Sequence, residues 1–198
     1  MKYLNIEKLN KINPLEFQNN KPYPWLNPYG LLTEEGYKNL LDNLPDLSLF
    51  KKTFGMSREY GQKPHDRYEL FYHKSLNVPK PWAEFIKELN SNVYKNFIKK
   101  LLEVKNFELW PVWQYSIKDC SVSPHCDSER RIGSHIFYLN TSNEWSNPWG
   151  GDTLILDDEE KLDSKSAPEF EDFKNTISVN SLDNNSFIFA RTNHSWHG

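Results

Sequence analysis

The stretch Ser123-Pro124-His125-Cys126-Asp127 decides how the rest of the chain is interpreted. In an extended segment, residues two apart point to the same side, so His125 and Asp127 can face a common ligand while Cys126 faces away. An imidazole and a carboxylate so placed are suitable metal ligands. A His-x-Asp pair is weak by itself, because the same residues also suit a surface turn after Pro124.

A third ligand has to come from a distant part of the chain. The segment Asn193-His194-Ser195-Trp196-His197 follows an apolar stretch and offers two histidines. The residues alone leave both His194 and His197 open. Two imidazoles and one carboxylate on one face of a metal, with open positions opposite, are typical of non-haem Fe(II) oxygenases.

Length and composition favour one domain over residues 1–198. Aromatic residues make up 15% of the chain, including seven Trp, which can supply a core despite the polar average. The net charge of −3 indicates no nucleic-acid partner. Two cysteines make no disulfide framework, and neither a signal peptide nor a stretch of ~18 apolar residues is evident. We therefore expect a cytoplasmic protein without a membrane span; the oligomeric state stays open.

The sequence of the first half predicts helices whose apolar faces pack against another part of the protein. Thr33 can cap a helix that runs to Leu44 and stops at Pro45. A second amphipathic pattern runs from Pro81 to Leu102, and Ser91-Asn92 is expected to break or bend it. Before these helices, residues 1–30 are rich in Asn and Pro and predict turns.

From residue 107 onward the pattern predicts strands. Short apolar and β-branched segments alternate with turn signals, at 109–117, 131–140, 150–156, 176–180 and 186–190. A further strand is expected within 66–73, and an acidic surface loop at 157–175. The predicted fold is α+β and mainly β: a sandwich or barrel over 107–198, supported by a helical and irregular region over 1–106.

The second half resembles the Fe(II)- and 2-oxoglutarate-dependent dioxygenases, in their prolyl 4-hydroxylase-like branch. The resemblance rests on several pieces in the right order: Tyr115, His125-x-Asp127, Arg130-Arg131, Ile136-Phe137-Tyr138-Leu139-Asn140, Trp145, Gly150-Gly151-Asp152-Thr153-Leu154, and Ser195-Trp196-His197-Gly198. It covers roughly residues 107–198 and extends weakly over Trp82 to Leu102.

The resemblance implies a double-stranded β-helix, or jelly roll, with His125, Asp127 and His197 as iron ligands, and so it favours His197 over His194. It places Tyr115 and Tyr138 at the 2-oxoglutarate pocket, although buried core tyrosines are the other reading. The family also carries a basic residue shortly after its distal histidine, which is expected beyond Gly198. Arg131 and Arg191 are the substitutes within this sequence.

The implied activity is hydroxylation coupled to decarboxylation of 2-oxoglutarate to succinate, with Fe(II), O₂ and, as a supporting reductant, ascorbate. The substrate is a small molecule or peptide: a peptidyl proline, an amino acid, a saccharide or another metabolite. Trp145 and Trp149 are expected in a lid over it, or else in simple packing. The alternatives are a jelly-roll binding module without activity and a metal-dependent enzyme that does not use 2-oxoglutarate.

Overall fold

The structure, a computed structural model, describes residues 1–198 apart from the side chain of Asn147. It combines α-helices with antiparallel sheets. The helices are α1 (Ile6–Lys11), α2 (Pro14–Asn19), α3 (Glu34–Leu41), α4 (Lys80–Leu89) and α5 (Asn92–Leu102). The strands are β1 (Trp25–Leu26), β2 (Lys51–Lys52), β3 (Tyr68–Phe71), β4 (Val112–Tyr115), β5 (Gly133–Phe137), β6 (Thr153–Asp157), β7 (Asn175–Val179) and β8 (Ser186–Ala190).

Side-chain caps begin the helices where the sequence predicts. The Thr33 hydroxyl accepts a hydrogen bond from the Gly36 amide at 3.0 Å at the start of α3. Ser91 caps α5 in the same way, which confirms the predicted break between α4 and α5. Each such cap satisfies an amide that has no partner within its helix and contributes about 1 kcal/mol. Helix α3 ends at Leu41, one turn earlier than predicted.

The two longer helices cover the sheets with one apolar face. Their buried side chains, spaced by three or four residues, include Trp82, Phe85, Ile86, Leu89, Tyr94, Ile98 and Leu101. These side chains join one core with Trp113 of β4 and Ile188 of β8. Helices α4 and α5 therefore pack against strands, as their periodicity predicts, because that face has to be removed from water.

The strands form three antiparallel groups. One sheet has the order β1-β8-β5, a second has the order β2-β3-β4, and β6 pairs with β7. Strand β8 is central in the first sheet, and its Phe187, Ile188 and Phe189 are almost fully buried. All predicted strands after residue 107 are present, and those predicted at 109–117, 131–140 and 150–156 are shorter than predicted. At β4 the proline at 111 has no amide to donate, and pairing begins at Val112.

Single β-bridges join segments outside the named strands. His197 bridges His125 on one side and Ile155 of β6 on the other. The segment around His197 therefore lies between β6 and the His125 segment. The predicted acidic loop at 157–175 is an irregular connection with a short 3-10 turn at Phe170–Asp172. Its Phe173 is buried against Trp196, with ring centroids 5.7 Å apart.

No helix in the described part of the chain combines the length and the apolar character that a membrane crossing requires.

Candidate metal centre

A pair of backbone hydrogen bonds brings the two ends of the predicted site together. The amide of His125 donates to the carbonyl of His197 at 3.0 Å, and the amide of His197 donates to the carbonyl of His125 at 3.0 Å. Residues paired in this way project their side chains on the same side of the sheet. The two imidazole centroids are accordingly 4.3 Å apart.

Asp127 completes a cluster of three potential metal ligands. One ligand atom each from His125, Asp127 and His197 lies within 4.8 Å of the others. The three residues are buried, with exposures of 7%, 8% and 7%. The period of two along an extended segment puts Asp127 beside His125, as the sequence predicts.

Backbone carbonyls set the protonation of both imidazoles. Nδ1 of His125 lies 2.9 Å from the carbonyl oxygen of Ser123, and Nδ1 of His197 lies 3.0 Å from that of Ser195. Because a carbonyl oxygen only accepts, each Nδ1 has to carry the hydrogen, and each Nε2 keeps a lone pair. Burial lowers the pKa of His125 well below its usual range and also lowers the pKa of His197, so both rings stay neutral.

The Asp127 carboxylate has partners on both oxygens. Ser134 of β5 donates its hydroxyl to Oδ2 at 2.6 Å, and Arg131 donates to Oδ1 at 3.1 Å. Burial raises the pKa of Asp127, but its surroundings, which include the Arg131 charge and the Ser134 hydroxyl, hold the pKa below its usual value. Two neutral imidazoles and one ionised carboxylate are the donors that a divalent first-row metal needs, so these residues fit such an ion.

Cys126 and His194 lie close to the ligands in the sequence but do not belong to the cluster. Cys126 packs among Leu156 and Trp196, and burial raises the pKa of its thiol to about 12. Nδ1 of His194 lies 2.8 Å from the buried Asp158 carboxylate. Of the two C-terminal histidines, only His197 belongs to the cluster.

A third histidine lies against the cluster and was not expected there. His65, which the sequence patterns did not mark as part of the site, is buried, and its ring centroid is 4.3 Å from that of His125. Its Nε2 is hydrogen bonded to Nη1 of Arg58. A single β-bridge to Val122 holds His65 beside the ligand segment, and such a tertiary contact leaves no signal in one sequence.

The two predicted cosubstrate tyrosines have different surroundings. Tyr138 donates its hydroxyl to Thr153 Oγ1 at 2.7 Å and packs in the cluster of Ile155 and Phe189, whose ring lies 4.6 Å from the His197 ring. Tyr115 lies on β4, half-buried, with its ring 5.0 Å from that of Phe50. Only Tyr138 thus shares a cluster with residues that contact His197.

The remaining predicted residues lie around the cluster at varying distances. Arg131 contacts Asp127 directly, whereas Nε of Arg191 donates to the Asp127 backbone carbonyl at 3.1 Å. The rings of Trp145 and Trp149 lie edge to face, 5.7 Å apart, and Trp149 is 68% exposed. Trp145 and Trp149 thus pack against each other. Both expectations, a lid over the substrate and simple packing, allow this arrangement.

Two connections meet beside the site. The loop that carries Arg58 and His65 is tied to the acidic connection, since the Gln62 side chain donates to the Ser166 carbonyl at 2.9 Å and Lys63 forms an ion pair with Glu169 at 2.6 Å. These contacts join the two connections on the side of the site that His65 occupies.

Comparison with known proteins finds similarity in structure and not in sequence. No family model matches the chain, and no curated protein matches it. The crystal structure of a Pseudomonas putida prolyl-4-hydroxylase is similar, with a TM-score of 0.65 over 96% of this chain and 90% of that chain, at 10% sequence identity. The resemblance to prolyl-hydroxylase-like oxygenases is therefore confirmed at the level of the fold.

Proposed function

We propose that this protein is an Fe(II)- and 2-oxoglutarate-dependent dioxygenase that hydroxylates a small molecule or peptide. The observation that carries the proposal is the convergence of His125, Asp127 and His197, whose ligand atoms lie within 4.8 Å of one another. The similarity of the fold to a prolyl-4-hydroxylase supports it. Fold alone does not assign an activity, so the site has the greater weight.

The chain's own contribution is to hold three ligands in one protonation state. The Ser123 and Ser195 carbonyls keep each Nδ1 protonated and each Nε2 free, and Ser134 with Arg131 orients the carboxylate. Such outer partners fix ring orientation and ligand basicity. The bound iron and 2-oxoglutarate would supply the oxidation of the substrate by O₂, with succinate and CO₂ released.

The finer assignments are proposals of the same kind. We propose that the antiparallel strands after residue 107 form a double-stranded β-helix within a single domain, braced by the helices before residue 106. Tyr115 and Tyr138 are proposed to line the 2-oxoglutarate pocket, with Arg131 and Arg191 as the sequence-based candidates for its second carboxylate. Trp145 and Trp149 are proposed to border the substrate. A cytoplasmic location and a supporting role of ascorbate complete the proposal.

The test measures metal binding and succinate release in the same preparations. The wild-type protein is expected to bind one Fe(II) and to release succinate from 2-oxoglutarate in air. His125→Ala is expected to lose both, because it removes one of three metal ligands. His194→Ala serves as the matched control, since His194 is a nearby histidine outside the cluster, and it is expected to keep both.

The results separate the proposal from its alternatives. A protein that binds iron through His125 but releases no succinate would be a metal protein that does not use 2-oxoglutarate. Equal iron binding by wild type and His125→Ala would remove the metal centre and the proposal with it.

A further inference from the structure

Arg58 is a half-buried cation without an anionic partner among the described residues. Its side chain forms a hydrogen bond from Nη1 to Nε2 of His65. Because Nη1 can only donate, Nε2 has to accept, so His65 is neutral. Burial, followed by the charges of Arg58 and Arg67, lowers the pKa of His65 to about 3, in agreement with that protonation.

Other arginines around the site have partners. Arg67 pairs with the Glu69 carboxylate at 2.6 Å, and Arg131 pairs with Asp127 at 3.1 Å. Arg191 donates to Asn193 Oδ1 at 2.7 Å, and its charge lies on the side of Cys126, which faces away from the metal ligands. Within the described part of the chain, neither Arg58 nor Arg191 forms an ion pair with a carboxylate, and of the two only Arg58 contacts a histidine whose ring packs against a metal ligand.

Arg58 is linked to the ligand cluster through the His65 side chain. The link is short, because Arg58 contacts His65 and the His65 ring lies 4.3 Å from the His125 ring.

Charge balance indicates a role for Arg58. A divalent ion held by one carboxylate and two neutral imidazoles leaves an excess positive charge at the cluster, and Arg58 adds another. Two positive charges in a partly desolvated site repel each other unless an anion lies between them. Arginine is well suited to this task, since its planar guanidinium binds a carboxylate through two parallel hydrogen bonds.

We propose that Arg58, oriented by His65, binds a carboxylate of a ligand that sits at the metal centre. The inference rests on the proposed function and adds an anion-binding residue from the loop before β3. The carboxylate can belong to 2-oxoglutarate, at the end opposite its oxo acid group, or to the substrate. Both sources share one chemistry, and the experiment separates them.

The first arm uses Mn(II)-loaded protein, in which ligand binding is measured without turnover. Calorimetry compares 2-oxoglutarate with pyruvate, which keeps the oxo acid group but lacks the second carboxylate. Arg58→Gln is expected to weaken 2-oxoglutarate binding by about tenfold and to leave pyruvate binding within about twofold. Arg130→Gln, the same change at an exposed arginine in the turn after Asp127, is expected to change neither.

The second arm addresses the substrate. With Fe(II) and saturating 2-oxoglutarate, succinate release is measured with twenty N-acetyl amino acids and with the corresponding amides. If Arg58 binds a substrate carboxylate, acids but not amides stimulate the wild type, and Arg58→Gln loses that response while its 2-oxoglutarate affinity is unchanged.

The outcomes distinguish this inference from the proposed function. A wild-type protein that binds no Mn(II) and releases no succinate contradicts the proposed function. A wild type that binds Mn(II) and 2-oxoglutarate, together with an Arg58→Gln variant that matches it in both arms, contradicts only the role of Arg58. Mn(II) affinity of Arg58→Gln at least as high as that of wild type shows that the variant is folded.

Discussion

Histidine ring nitrogens that are removed from water occur in two very different surroundings in this protein. His125 and His197 sit in the ligand cluster, each with Nδ1 on a backbone carbonyl and Nε2 next to the other ligands. His135 of β5 lies under helix α5, where Nδ1 is 2.7 Å from the Tyr94 hydroxyl and Nε2 has no partner among the described residues. The Phe137 ring stacks on it at 3.9 Å.

Burial alone therefore does not make a histidine a ligand. It lowers the pKa of all three rings, that of His135 to about 3. The difference lies in the neighbours: a carboxylate and a second imidazole in one case, aromatic rings and a hydroxyl in the other. Adjacent residues of β5 serve both places, since Ser134 donates to Asp127 while His135 faces the helix.

The largest expected effect comes from substituting one histidine of each kind, His197 in the ligand cluster and His135 under helix α5. His197→Gln removes a ligand and is expected to weaken Mn(II) binding by more than about 100-fold, beyond the usual effect of an outer partner. His135→Phe is expected to bind Mn(II) within about twofold of wild type. Calorimetric titration checks both, and an equal loss in His135→Phe would mean that the cluster depends on the helix layer.

Ser134→Ala is expected to weaken Mn(II) binding by about tenfold, because Asp127 Oδ2 loses the hydroxyl that orients it. Ser181→Ala is the matched control: it removes a serine hydroxyl that donates to another aspartate, Asp152, at 2.9 Å. The same titration measures both variants. A similar loss in Ser181→Ala would point to a general effect on folding.

Acid should destabilise the fold partly through His135. Its folded pKa of about 3 lies below the unfolded value of about 6.5, so between these values the unfolded chain binds more protons. The contribution of this ring to the free energy of unfolding is therefore complete above pH 6.5. It decreases as the pH falls, by up to about 1.4 kcal/mol per pH unit. Urea unfolding of metal-free protein from pH 7 to pH 4 should show a shallower slope for His135→Phe. Identical slopes would refute the assignment.

The smallest effect is expected at the histidine that neighbours the ligand in sequence. His194→Ala removes the partner of the buried Asp158 carboxylate, which keeps backbone donors from Glu160 and Leu162. A loss of about 1 kcal/mol in the free energy of unfolding is expected. Mn(II) affinity should stay within about twofold, and a larger loss would mean that His194 helps to position His197.

Local patterns in the sequence predicted much of the architecture. The Thr33 cap, the break at Ser91 and the strand at 186–190 each depend on residues close together in the chain, and all three are present. The pairing of His125 with Asp127 has the same origin, since a period of two is a local property of extended backbone. Family resemblance, rather than any local rule, favoured His197 over His194.

The sequence by itself thus determined which residues have the chemistry of a metal site and which short segments carry them. Only the tertiary structure decided which of them meet: the backbone pairing of His125 with His197, the approach of His65, and the charge of Arg58 left without a carboxylate. The physical reason is that these contacts join segments far apart in the chain. Their protonation and charge balance depend on burial and on neighbours that exist only after folding.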